Sequence, residues 1–109
     1  MNDFAEYQRL TSDTDQYPRE TALLCKALGL AGEAGEVANK IKKIYRDNDG
    51  NVTPDHVRVL ADEMGDVLWY AAQICEELGI GIGWCAANNI AKLADRQERG
   101  VLHGDGDER

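Results

Sequence analysis

Apolar residues recur along this chain at helical spacing, and no stretch shows the two-residue alternation of a half-buried strand. In residues 3–11, Phe4, Tyr7 and Leu10 fall three apart, which predicts a short helix laying one edge on its neighbours. The run SDTDQYPRE follows, and Pro18 disfavours helix in the residue before it, so a loop is expected to about Tyr17. A long helix then starts near Pro18 or Arg19, proline being tolerated in a first turn. From Glu20 to about Asp47 the positions Leu23, Ala27, Leu30, Ala34, Val37, Ala38, Ile41 and Ile44 trace the stripe of an amphipathic helix of some seven turns.

The segment DNDGNVT, residues 47–53, is a turn by composition, with Thr53 as N-cap and Pro54 as first helical residue of a third helix. That helix runs to Leu78, stops at Gly79 and carries Val59, Leu60, Val67, Ala71, Ile74 and Leu78 on its apolar face. GIGIGW then makes a short turn, so the third helix and a fourth, from about Trp84 to Arg99, are expected to be antiparallel neighbours. After Gly100 the tail VLHGDGDER is mostly charge and glycine and is expected to be mobile or partner-dependent. The fold class is therefore all-α: helical hairpins forming a four-helix bundle, completed by oligomerisation. Residues 1–109 read as one domain, with its core at about 20–99 and the tail at about 101–109.

Three glycines, Gly29, Gly32 and Gly35, interrupt the second helix, each costing about 1 kcal/mol relative to alanine. Either the helix breaks near Gly29 or something approaches too closely for a side chain, and the second is favoured because the glycines bracket two acids. Those acids, Glu33 and Glu36, project to one side of the helix one turn apart, and Glu63 with Asp66 repeats the pattern on the third helix. Glu36 has Lys40 four residues on, an ordinary ion pair. Glu33, Glu63 and Asp66 have no such local cation and stand in or beside the apolar stripes, where unpaired carboxylates are costly and raise one another's pKa.

A hard divalent cation resolves that conflict, so Glu33, Glu36, Glu63 and Asp66 are read as ligands of Mg²⁺, with Mn²⁺ as its substitute. A di-iron centre would call for Glu-x-x-His pairs, and His56 stands two turns from Glu63. A purely structural polar network is the plainer alternative. Net charge changes the picture in one respect: 20 acidic against 12 basic residues give −8, which argues against a nucleic-acid polymer as partner and leaves a small anion brought in with metal. No apolar run is long enough to span a membrane and the first ten residues are too polar for a secretory signal, so a cytoplasmic protein is expected. Cys25, Cys75 and Cys85, without a C-x-x-C spacing, read as buried reduced thiols.

GLAGEAGEV and EMGDVLWY on consecutive helices, with NIAKLADRQERG on the fourth, together resemble the all-α nucleoside triphosphate pyrophosphohydrolases of the MazG type over roughly residues 20–99. The resemblance implies metal-dependent cleavage of a nucleoside triphosphate between its α and β phosphates, giving monophosphate and pyrophosphate, in house-cleaning of the nucleotide pool. It implies the four acids as the catalytic set, with Glu36 or Glu33 free to act instead as general base. It also implies Asn89, Lys92 and Arg96 as a stripe gripping the triphosphate, with Lys40 and Lys43 as weaker candidates. Trp69 and Trp84 could stack on a base, although aromatics on helices more often belong to the core. A homodimer or homotetramer is expected. Two other readings stay open: a phosphoribosyl-ATP pyrophosphohydrolase sharing the acids, and a non-catalytic helical protein that binds a nucleotide or a partner.

Overall fold

The structure, a computed structural model, describes residues 3–107 and Arg109; Met1, Asn2 and Glu108 lie outside the described residues, and with them part of the N-terminal run and of the tail discussed above. Helix α1 (Phe4–Thr11) is capped by the Asp3 carboxylate, which accepts from the Glu6 amide at 2.7 Å. A 3-10 turn (Ser12–Thr14) follows. The long hairpin consists of α2 (Ala22–Asn48) and α3 (Pro54–Leu78), and α4 (Ile82–Arg99) closes the order. Among the described residues there is no strand, and the fold is all-α.

Two boundaries differ from the sequence expectation, each for a local reason. Pro18 does not open α2; its carbonyl accepts from Thr21 N–H in a turn, and helix begins at Ala22. Helix α4 starts at Ile82, two residues before Trp84, because Gly81 serves as its N-cap. Elsewhere the punctuation works as the residues suggest. Asp49 and Gly50 take the left-handed conformation (φ 54° and 78°) and end α2. Thr53 caps α3 in a reciprocal box: its hydroxyl accepts from the His56 amide, and the His56 imidazole accepts from the Thr53 amide. Gly79 and Gly100 end α3 and α4 at positive φ.

Helix α2 runs unbroken through its glycines, so the closeness explanation decides Gly29: a Cβ there would lie 2.2 Å from the Tyr70 ring of α3. Gly32 and Gly35 face open space instead. The apolar core is small. Ala72, Cys75 and Ile82, packed by Tyr7, Ala71 and Cys85, join α1, α3 and α4. Beside it lies a polar network with Lys26 at its centre, whose ammonium donates to Gln73 at 2.7 Å and Asp15 at 2.9 Å and pairs with Glu77 at 3.4 Å. Gln73 passes the network to Thr11, while Gln8 donates to the Ile80 carbonyl and accepts from Ile82 N–H. These bonds fix α1, the loop and the start of α4 on the α2–α3 hairpin.

The tail folds back on α4. Arg96 is buried and donates to the carbonyl and carboxylate of Asp107, Lys92 lies 3.4 Å from the same carboxylate, and Arg109 donates to the carbonyls of Val101 and Leu102. Cys25, Cys75 and Cys85 are free thiols, and Cys75 and Cys85 face each other with sulfurs 3.8 Å apart. Burial, followed by the bond to Cys85, pushes the Cys75 thiol up.

Candidate active site

Antiparallel pairing of α2 with α3 brings the two acid pairs to the same level of the groove. Glu33, Glu63 and Asp66 each turn a carboxylate oxygen to a common point, all within 4.8 Å of one another. Glu33 and Glu63 are half-buried and Asp66 is exposed. Glu36 is exposed one turn along α2 and stands outside this trio, so the structure gathers three of the four acids.

The trio is electrostatically unsettled. Burial, then hydrogen bonding with Glu63, then the negative charges of Asp66, Glu63 and Glu36 all raise the Glu33 pKa. The compensating cation comes from across the groove: Lys40 lies 3.5 Å from Glu63 of α3 instead of pairing with Glu36 as their spacing suggested. Three convergent oxygen donors, one of them pushed toward protonation by burial and by the others, fit a divalent cation.

Two cavities flank the trio. One, of about 360 Å³, is lined by Thr14, Tyr17, Trp69 and Tyr70 together with Glu33 and Asp66. Its aromatic wall is braced: the Tyr17 and Tyr70 hydroxyls are 2.7 Å apart, Trp69 donates its indole N–H to Thr14 at 2.8 Å, and the Trp69 and Tyr70 rings meet edge-on at 5.1 Å. The bond to Tyr17, then burial, pushes the Tyr70 phenol up to about 12, so it stays protonated at neutral pH. The other cavity, of about 270 Å³, lies at the opposite end of the groove between Lys40, Lys43, Asp47 and His56, over a floor of Ile44, Val59 and Leu60.

Trp69 therefore stands beside the acids. Trp84 lies in a separate cleft with Ala5, Gln8 and Arg9 of α1. Asn89 is exposed on α4, and Lys92 and Arg96 line neither cavity beside the acids, each being paired instead with Asp107 in the tail. Tyr17 and Thr14 escaped sequence reasoning because they sit in a loop without periodicity. The one available signal was their place just ahead of the acid-bearing helix.

A helical hairpin carrying convergent carboxylates beside an aromatic cavity defines an all-α protein equipped to hold a divalent cation. The particular family follows from comparison: residues 23–101 match the MazG nucleotide pyrophosphohydrolase domain, and the chain belongs to that family. It is also similar to the Gene 37 protein of Mycobacterium phage L5, at 43% identity over 109 residues covering 94% of this chain and 96% of that protein. No solved structure matches it.

Proposed function

We propose that this protein hydrolyses a nucleoside triphosphate between the α and β phosphates in a Mg²⁺-dependent reaction, removing unwanted nucleotides from the cytoplasmic pool. The observation that carries this reading is the convergence of Glu33, Glu63 and Asp66 within 4.8 Å on the hairpin of a nucleotide pyrophosphohydrolase domain. These three residues would hold the ion; when bound, it supplies positive charge that offsets both the carboxylates and the substrate's phosphates.

The chain's own residues account for the rest. Glu36, close enough to raise the Glu33 pKa yet outside the trio, is the acid left to accept a proton from the attacking water. Water attacks phosphorus on one side of the α–β bridge, a new P–O bond forms as that phosphorus releases the bridging oxygen, and monophosphate and pyrophosphate separate. The aromatic cavity supports placement of the base against Trp69, whose indole is held by Thr14. Asn89, Lys92 and Arg96 add to the phosphate grip from α4 once Asp107 of the tail gives up Lys92 and Arg96.

Broad apolar surface on α2 and α3, including Leu24, Leu28 and Met64, supports a homodimer or homotetramer as the working form. The test is pyrophosphate release from a panel of ribo- and deoxyribonucleoside triphosphates with Mg²⁺ and with EDTA. Metal-dependent release is expected. Its failure for every triphosphate overturns the reading.

A further inference from the structure

The two cavities flanking the acids differ in chemical character, and the difference gives the groove a direction. The aromatic cavity is lined by two carboxylates and no cation. An anion meets no positively charged side chain there. The opposite cavity holds Lys40, Lys43 and His56. Its one lining carboxylate, Asp47, is gripped through both oxygens by Arg46 at 2.8 Å, so its charge is locally offset.

We propose that this second cavity is the pyrophosphate pocket of the reaction, with Lys40, Lys43 and His56 receiving the β and γ phosphates while the base lies at the aromatic end. The proposal rests on the hydrolase reading above and assigns the polarity of the substrate along the α2–α3 groove. Lys40 carries the argument for continuity, since it lines the cavity and also lies 3.5 Å from Glu63. It thus stands where the α–β bridge would pass from the acids to the leaving group. At about 1.5 Å of rise per residue, Glu33 to Lys40 on α2 and Glu63 to His56 on α3 both span about 10 Å, so the two helices deliver their basic residues to one level.

His56 is preset for this task by the cap of α3. Its Nδ1 accepts from the Thr53 amide at 3.0 Å, which leaves the ring proton on Nε2 as a donor. A histidine at the third position of a helix is thereby turned from a capping residue into one that can also donate to a phosphate oxygen. The apolar floor of Ile44, Val59 and Leu60 strengthens such bonds by excluding water from beneath them.

The experiment is calorimetric titration of the whole protein with inorganic pyrophosphate and with nucleoside monophosphate, each in Mg²⁺, for the wild type, Lys43→Met and His56→Gln. Glutamine at the third helical position keeps the capping box, so His56→Gln preserves the start of α3. Lys43 is exposed, and its replacement leaves the fold untouched. Each substitution should weaken pyrophosphate binding about tenfold, the worth of one charge-assisted hydrogen bond, and leave monophosphate binding unchanged. Unchanged pyrophosphate affinity, equal weakening of both ligands, or no pyrophosphate binding by the wild type would each overturn the assignment. Failure of the hydrolase reading is seen separately, as absence of pyrophosphate release from every triphosphate by the wild type.

Discussion

The ring of Tyr70 occupies the space that any side chain at residue 29 would need: a Cβ on Gly29 would come within 2.2 Å of its Cε1 and 2.4 Å of its Cζ. That ring is held from behind by the Tyr17 hydroxyl and edge-on by Trp69, so it has little freedom to retreat. Gly29 therefore sets how closely α2 and α3 approach at the aromatic end of the groove, one turn before Glu33.

Gly29→Ala should destabilise the protein despite alanine's advantage of about 1 kcal/mol in a helix interior. Overpacking costs about 1–3 kcal/mol, and here it displaces a braced ring. Gly32→Ala, which meets nothing within 4 Å, should instead stabilise the protomer by about 1 kcal/mol. Paired denaturant titrations check the opposite signs. Equal shifts for the two substitutions would show that Tyr70 yields freely.

Glu63→Gln should abolish triphosphate cleavage, with a loss above the roughly 10–100-fold that even supporting residues of metal sites command. The apo fold should survive, because the substitution removes a charge that raises Glu33 while giving up only the half-exposed pair with Lys40. Glu33→Gln should likewise abolish cleavage and raise the apo melting temperature more than Glu63→Gln, since it sheds repulsion and breaks no ion pair with Lys40. Activity near wild type in either variant would place the metal elsewhere.

Lys26 governs the pH dependence of stability at the other end of the hairpin. Burial pushes the Asp15 carboxyl up, but hydrogen bonds from Lys26 and the Tyr17 amide, with the charges of Lys26 and Arg19, bring it below its ordinary value. A carboxyl whose folded pKa is depressed contributes stability that is present above its unfolded pKa, near 3.9, and is lost as pH falls through the folded value. Lys26→Met, at a side chain only 1% exposed, should cost about 3 kcal/mol at neutral pH by leaving Asp15 and Glu77 without their buried cation. The gap between variant and wild type should narrow below pH ~4 as Asp15 takes up its proton. A gap constant from pH 7 to 3 would mean that Lys26 acts through packing alone.

What the chain revealed in advance divides along the range of the interactions concerned. Thr53 and Pro54, Gly79 and Gly100 mark helix ends through bonds within a few residues, and the acid pairs share a face by helical spacing alone. Lys26 gave no such signal. Its burial depends on Asp15, eleven residues earlier, and Gln73, forty-seven later, so a lysine near the start of an amphipathic helix reads as surface. Glu36 obeys the same spacing as Glu33, and only the crossing of α2 over α3 excludes it from the trio. Arg96 reads as an exposed cation on α4 and is instead 3% exposed under the tail, because Asp107 returns to it from a segment without pattern.

The apolar surface left by one chain leads to the last prediction. Among the described residues five apolar ones are buried, whereas Leu23, Leu24 and Leu28 on α2 and Val57, Met64 and Leu68 on α3 remain between 38% and 65% exposed. These two helices carry the acids, so a second copy packed on them would cover the hairpin that bears the site. Light scattering after size exclusion should give a dimer or tetramer, and the melting temperature should rise with protein concentration. Leu24→Glu with Leu28→Glu places two charges on that surface and should yield monomers of lower stability and weakened cleavage. A wild-type monomer with an unchanging melting temperature would mean that the hairpin stands alone, with its apolar face open to water.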